Sequence, residues 1–397
     1  MLLSIALIIL VSLMLGRLFK LINMPAIIGM LITGILLGPY VLDLINDRIL
    51  DMSADLRQMA LIVILLRAGL ALKLEDIKKI GRPALFMAFV PATFEIIGVI
   101  LLSTWLFNLS FLEAAILGAI LSAVSPAVVV PKMIKLMESG LGKEKRIPQL
   151  ILAGASLDDI YVIILFTSFL QSFIQQDLSF AMLYQLPLSI VIGVGLGLLA
   201  GYVLVLFFKK WHMRDTVKVL ILAAVSFLLI TLEQVLKPDL LISGLLSIMV
   251  MGGMIHHQYA PLAKRLVHKF EKIWVIAEMM LFVLVGAAVD LSVIPSVGIF
   301  SVLLIFLALI FRLTGVLVAL IKTELNFKEK CFVGISYVPK ATVQAAIGAI
   351  PLAMGIPSGH LMLTIAVLAI LITAPLGAIG IDLSAPHLLS HQHRQNG

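Results

Sequence analysis

The chain has little charge and almost no cysteine. Only 13% of its 397 residues are charged and 61% are hydrophobic, whereas a soluble domain is about 25% charged and about 45–50% apolar. The single cysteine, Cys331, excludes an intramolecular disulfide and any multi-cysteine metal site. Glycine and proline are too few for a collagen-like or disordered chain. Composition therefore predicts an all-α polytopic membrane protein.

Long apolar runs follow one another along the whole chain. Windows of about 20 residues, the length that crosses a bilayer as a helix, predict thirteen transmembrane helices. These segments are residues 2–16, 24–40, 53–72, 83–107, 112–131, 149–173, 184–208, 215–235, 239–256, 273–290, 296–321, 328–354 and 358–380. No basic region precedes the first segment and no small-residue cleavage site follows it, so it is expected to be a membrane helix rather than a signal peptide.

The basic residues alternate between the loops. Lysine and arginine concentrate in the loops after the odd-numbered segments, whereas the loops after even-numbered segments hold only Arg48 and Lys237. The positive-inside rule then predicts an N-terminus outside and a C-terminus in the cytoplasm. The short loops leave no room for a soluble regulatory domain, and residues 381–397 are expected to form a cytoplasmic tail.

Three pairs of segments resemble each other at one common offset. Segments two and nine, three and ten, and five and twelve share short motifs, and each pair is seven segments apart. An odd offset reverses the orientation in the membrane, so the pattern predicts an inverted-topology repeat. Residues 1–173 form the first half, residues 184–208 a linker helix and residues 215–380 the second repeat, all within a single transporter domain. Such repeats are typical of secondary transporters with alternating access.

Proline interrupts two segments that are repeat mates. The fifth segment contains Ser125-Pro126 and the twelfth contains Val338-Pro339. Proline removes a backbone donor and disfavours the preceding turn of a helix, and inside a membrane the freed groups need partners within the protein. Two such sites at symmetry-related positions predict two broken helices that cross near the bilayer midplane.

Two adjacent carboxylates, Asp158 and Asp159, lie in the middle of the sixth segment, which carries no other charge. Each costs roughly 2.5–3.5 kcal/mol at the bilayer centre, so the pair is expected to bind Na⁺ or protons. A bound cation favours the ionised form of the two carboxylates, and protonation of the carboxylates expels the cation. This competition yields exchange of a cation for protons. Ser125 and Ser156 are candidate auxiliary oxygen ligands.

Three further charges lie deep in apolar segments. Lys340 directly follows the second break, and a buried lysine normally pairs with a carboxylate. If Lys340 releases its proton when a cation takes that carboxylate, two protons move per cation; if it stays charged, exchange is electroneutral. Glu95 and Arg312, at similar depth in the fourth and eleventh segments, are expected to form a structural ion pair.

The motifs resemble the cation/proton antiporters of the CPA superfamily, and in particular its NHA branch. The resemblance rests on GAILSAVSPAVVVPKMIKL from Gly118, GASLDDI from Gly154 and VPKATVQAAIG from Val338, and extends over nearly the whole chain. It implies a sodium/proton antiporter with Asp159 as the main ion-binding carboxylate, an Asp158–Lys340 pair and a Glu95–Arg312 pair.

The same resemblance implies the assembly. It implies a homodimer, with anionic lipid expected at the dimer interface, in a bacterial inner membrane. A core domain, residues 53–173 and 273–380, would move like an elevator. No cofactor, nucleic-acid partner or enzymatic activity is expected. One departure matters: many relatives have Thr-Asp-Pro at the first break, where this chain has Val124-Ser125-Pro126, so their cation selectivity does not transfer.

Two rival functions remain to be weighed. A sodium-coupled symporter of an organic anion could use the same scaffold, but it would need polar anion-binding residues that the half-helix ends largely lack. An intramembrane aspartyl protease would need two carboxylates on different helices and a GxGD sequence. Here the acids are adjacent and that sequence does not occur.

Overall fold

The protein is described by a computed structural model that covers residues 1–71, 81–142, 144–175, 181–236 and 243–390. These ranges form α-helices and one 3-10 turn, Leu291–Val293, without a β-strand. The helices are α1 Leu2–Leu21, α2 Ala26–Leu37, α3 Asp47–Asp51, α4 Ser53–Ala71, α5 Arg82–Phe107, α6 Phe111–Ser122, α7 Pro126–Ser139, α8 Ile147–Gln175, α9 Ala181–Lys210, α10 Asp215–Leu236, α11 Gly244–Gln258, α12 Ala260–Ala287, α13 Ile294–Ala319, α14 Phe327–Ser336, α15 Thr342–Ile347, α16 Ile350–Ala353 and α17 Gly359–Leu388.

Each of the thirteen apolar segments falls on helical structure, and the all-α prediction is confirmed. Within the described ranges, eight helices are long and apolar enough to cross a membrane, so the number thirteen stays a prediction. Helix α17 continues to Leu388, which makes the first part of the expected tail helical. Residue 72, at the end of the third segment, and residues 239–242, at the start of the ninth, lie outside the described residues.

The chain divides into two compact units. The first contains α1 to α3, α5 to α7, α8 as far as Val162, and the chain from Leu281 onward. Its most extensive helix–helix contact is between α5 and α13, and α17 packs against α7, α13 and α14. Helix α6 begins with a capping box in which Ser110 and Glu113 bind each other's backbone N–H groups.

The second unit contains most of α4, the rest of α8, α9 to α11 and α12 as far as Met280. Its main contact is between α9 and α11. Gly193, Gly197 and Gly201 recur every four residues along α9, and a Cβ on any of them would press against Ser243, Ser247 or Met254 on or beside α11. Small residues at this spacing let two membrane helices approach closely.

The fifth predicted segment is broken, as its prolines predict. Helix α6 ends at Ser122, the backbone is extended at Ala123 and Ser125, and α7 starts at Pro126. Ser125 is extended because the residue before a proline avoids the helical region, and Pro126 has the fixed φ angle that suits the first position of a new helix.

The twelfth predicted segment is also broken. Helix α14 ends at Ser336 and α15 begins at Thr342, so the interruption spans residues 337–341 and includes Pro339. The Pro339 ring packs on α17 at Gly377, where a Cβ would overlap the ring. The two interruptions contact each other directly, since the N–H of Ser125 donates to the carbonyl oxygen of Pro339 at 2.8 Å.

Candidate functional site

The carbonyl groups left free at the end of α6 are bound by side chains from later in the chain. A helix end leaves its last carbonyls without intrahelical partners. Here Lys340 Nζ donates to the Leu121 oxygen, Arg312 donates to the Ser122 oxygen, and Gln344 Nε2 donates to the Ala123 oxygen at 2.8 Å. The first break is therefore held by two cations and one amide.

The second break is held in a similar way. The N–H of Lys340 donates to the hydroxyl oxygen of Thr373 on α17 at 3.0 Å. The carbonyl oxygen of Tyr337 accepts from Arg312 Nε at 2.8 Å, and the Arg312 guanidinium also lies over the Tyr337 ring. Arg312 thus binds carbonyl groups at both breaks, which fixes their relative position.

Four buried charges form a chain of alternating sign across these breaks. Lys340 Nζ lies 2.6 Å from Glu95 Oε1, Arg312 lies 2.8 Å from Glu95 Oε2, and Arg312 also lies 3.0 Å from Asp158 Oδ2. All four side chains are almost completely buried. Buried charges require such pairing, because each one costs several kcal/mol to remove from water.

Asp158 has one occupied oxygen and one free oxygen. Its Oδ2 accepts from Arg312 and from the N–H of Val124 at 2.9 Å. Its Oδ1 is buried and has no hydrogen-bond partner among the residues described, and the same holds for Asp159 Oδ1 and Ser125 Oγ. Asp159 itself is half-buried, so these two carboxylates differ in their surroundings.

Oxygen atoms of this kind suit a small hard cation. No group of three or more His, Cys, Asp and Glu side chains is arranged for a metal ion in the part of the chain that the structure describes. A cation at Asp158 and Asp159 would therefore need neutral oxygens such as Ser125 Oγ to complete its shell.

A sequence profile of one protein family covers almost the entire chain. The family described as "Sodium/hydrogen exchanger, transmembrane" matches residues 5–383. The chain belongs to the sodium/hydrogen exchanger family.

Individual exchangers agree with this assignment. The chain is 32% identical to sodium/hydrogen exchanger 9B2 of Mus musculus over 96% of its own length and 72% of that protein. It is 31% identical to sodium/hydrogen exchanger 9B1 of Homo sapiens, over 95% and 76% of the two chains. The fold matches that of the sodium proton antiporter MjNhaP1 from Methanocaldococcus jannaschii with a TM-score of 0.84, at 20% identity and with 97% and 98% of the chains covered.

The Glu95–Arg312 pair expected from the exchanger sequence is present, but the expected Asp158–Lys340 pair is not. Asp158 is paired with Arg312, and Lys340 is paired with Glu95. The correction has a simple physical reason. Arg312 presents several N–H groups in a planar fork and so reaches both carboxylates, which leaves the second oxygen of Glu95 for the lysine.

The remaining site predictions have mixed outcomes. Pro126 and Pro339 lie at helix interruptions, as predicted. Ser125 lies at the first break beside Val124, whose N–H binds Asp158. The side chain of Ser156 is outside the described residues, so its role as an auxiliary ligand stays a prediction.

Sequence reasoning missed the neutral residues of the site. Gln344 and Thr373 bind the two breaks, yet neither residue carries a charge that would mark it in an apolar segment. The only signal for Gln344 is a polar side chain among valine, alanine and isoleucine, four residues after Lys340 in a largely apolar segment.

Proposed function

We propose that this chain exchanges Na⁺ or Li⁺ for H⁺ across the membrane, with Asp158 and Asp159 as the ion-binding groups. The observation that carries the proposal is the pair of carboxylates beside two helix breaks, each acid with a buried Oδ1 that no described group binds. Membership of the exchanger family supports the same reaction.

The two carboxylates have different roles in this proposal. Asp158 is held by Arg312 and by a backbone N–H, whereas Asp159 Oδ1 has no such partner in the described structure. Asp159 is therefore the main ligand of the cation, and Asp158 contributes its free oxygen. A proton and a cation compete for the same oxygens, so binding of one releases the other, which is the requirement for obligatory exchange.

The pairing of Lys340 bears on the stoichiometry. Its ammonium group lies 2.6 Å from Glu95, a carboxylate that takes no part in the proposed cation site. A cation that arrives at Asp158 and Asp159 leaves this partner in place, so Lys340 keeps its proton. One proton then moves per cation, and exchange is electroneutral.

The conformational mechanism is proposed by analogy with the cation/proton antiporters that the sequence motifs resemble. Thirteen transmembrane helices form an inverted repeat, and a core domain, residues 53–173 and 273–380, moves like an elevator within a homodimer. The contact between the two breaks, Ser125 N–H to Pro339 oxygen, supports a shared ion site that moves as one body. Anionic lipid at the dimer interface is part of the same proposal.

The orientation in the membrane is a further part of the proposal. A cavity of about 540 Å³ in the first unit is lined by Asn23 after α1, by Lys132, Lys135 and Ser139 on α7, and by Asp382 on α17. The positive-inside rule assigns all three helix ends to the cytoplasm, and their common location supports that assignment. A bacterial inner membrane is the proposed location.

Sodium-coupled symport of an organic anion is the alternative function. The family and the relatives that match are exchangers, so they do not favour symport. The cations near the breaks are also already bound: Arg312 and Lys340 both contact carboxylates, which leaves neither of them to bind a substrate anion.

Transport in vesicles tests the proposal. Purified protein in liposomes with a pH-sensitive dye should exchange Na⁺ for H⁺ without any organic anion, and Asp159→Asn should abolish exchange. Asp290→Asn is the matched control, because that half-buried carboxylate lies beyond the end of α12, where it accepts hydrogen bonds from Ser292, and the substitution should leave the rate unchanged. If Asp159→Asn exchanged Na⁺ for H⁺ at the wild-type rate, Asp159 would not be the main cation ligand.

A further inference from the structure

One peptide unit connects Gln344 to Asp158. The carbonyl oxygen of Ala123 accepts from Gln344 Nε2 at 2.8 Å, and the N–H of Val124, in the same peptide unit, donates to Asp158 Oδ2 at 2.9 Å. The C=O and N–H of a planar trans peptide point in opposite directions. Holding the carbonyl toward Gln344 therefore aims the N–H at Asp158.

The setting of Gln344 fits this role. The residue is completely buried on α15, four residues after Lys340 in the break. Its amide nitrogen also reaches the Leu121 oxygen at 3.4 Å, which Lys340 contacts too. Both partners are carbonyl oxygens, so the amide nitrogen must face them. A buried amide among apolar neighbours is costly unless it is bonded. These bonds offset that cost for the nitrogen, whereas Gln344 Oε1 is buried without a hydrogen-bond partner among the described residues.

We propose that Gln344 is a positioning residue that sets the orientation of the Asp158 carboxylate, an inference that rests on the proposed exchange function. Through the Ala123–Val124 peptide, Gln344 keeps Asp158 Oδ2 occupied, which directs Oδ1 toward the cation. The two hydrogen bonds in series polarise each other across the peptide. Without the amide the Ala123 carbonyl loses its partner and the Ala123–Val124 peptide no longer holds its N–H toward Asp158, which is then held by Arg312 alone.

The variant Gln344→Met tests the role, because methionine has a similar length and no donor. Apparent KM for Na⁺ is measured by dye-based exchange in liposomes. It should rise about tenfold, because the variant loosens the hydrogen bond from the Val124 N–H to the Asp158 carboxylate, and a hydrogen bond to a charged group is worth about that much. The maximal rate should stay within about twofold, since the ligands themselves are intact. Thr364→Val, which removes another buried hydroxyl with only a local bond to His360, should change neither constant.

Two further variants sharpen the result. Gln344→Asn keeps a polar group in the same space, so it should fold where methionine does not, but its amide is too short to reach Ala123 and KM should rise similarly. Gln344→Glu separates positioning from direct ligation, because an added carboxylate would bind Na⁺ better if it were a ligand. We expect KM in Gln344→Glu to be no lower than in the wild type.

The outcomes are distinct. A wild-type KM in either Gln344→Met or Gln344→Asn, a loss confined to the maximal rate, or a lowered KM in Gln344→Glu would each overturn the positioning role. Asp159→Asn in the same assay reports on the proposed function itself: if that variant loses exchange, an unchanged Gln344→Met contradicts only the role of Gln344, and if it exchanges normally the proposed function fails.

Discussion

Arg312 should be the costliest single side chain to remove from this protein. Its guanidinium is fully buried and binds two carboxylates, Glu95 and Asp158, and two backbone carbonyls, of Ser122 and Tyr337. Arg312→Met removes one donor from each of these four groups, and Asp158 and Glu95 then keep only the Val124 N–H and Lys340 among the partners described. Removing one partner of a buried ion pair costs about 3–5 kcal/mol, and the free carbonyls place the expected loss at the upper end of that range.

The measurement is the free energy of unfolding of purified protein, titrated with SDS in mixed micelles. Arg67→Met is the matched control, because Arg67 also lies on a predicted membrane helix but is 36% exposed and 3.6 Å from its partner Glu271. Exposed pairs contribute about 0–1 kcal/mol. A loss for Arg312→Met no larger than that for Arg67→Met would refute the view that this arginine holds the two breaks together.

A double variant tests the alternating chain itself. Glu95→Gln removes the carboxylate between Arg312 and Lys340, and combined with Arg312→Met it leaves Lys340 and Asp158 as the two remaining charges of the chain. Residues that share one network couple by about 0.5–3 kcal/mol. The double variant should therefore be less destabilised than the sum of the two single variants, and strict additivity would contradict the chain.

Two more predictions concern the lysine and the second break. A Na⁺ concentration jump on a solid-supported membrane should give no sustained current with the wild type or with Lys340→Gln. The reason is that Lys340 keeps its partner Glu95, and with it its proton, when Na⁺ binds. A wild-type current that Lys340→Gln abolishes would instead make the lysine a proton carrier. Gly377→Ala should lose about 1–3 kcal/mol of stability, because the new methyl group overlaps the Pro339 ring. Its control is Gly195→Ala, where a Cβ meets nothing within 4 Å and stability should stay the same or rise slightly. Equal stability of the two variants would contradict the close contact between Gly377 and the Pro339 ring.

The sequence predicted the site through its anomalies. Asp158, Asp159, Lys340, Glu95 and Arg312 stood out because a charge in an apolar segment is costly and needs a reason. The two helix breaks followed from proline, whose effect on a helix is local and does not depend on the rest of the fold.

The pairing of these charges could not be predicted. Two cations and three carboxylates at similar depth allow several pairings, and the choice depends on distances of a few ångströms between α5, α8, α13 and the second break. The resemblance gave Asp158–Lys340, whereas the structure has Asp158–Arg312 and Lys340–Glu95. Gln344 was missed for a related reason: its effect is exerted through a backbone peptide, which has no signature in the side-chain sequence.

The way the breaks are held has a consequence for how this protein is made. Asp158 meets Arg312 only 154 residues later in the chain, and Glu95 meets it 217 residues later. At a synthesis rate of about 5–20 residues per second, roughly 8–30 s pass between the synthesis of Asp158 and that of Arg312. During that time the first half of the chain has two buried carboxylates and a helix end that lack their permanent donors. Until α13 is synthesised, the translocon or water should therefore provide hydrogen-bond partners for these polar groups. Slow synthesis between Asp158 and Arg312 should lower the yield of folded protein.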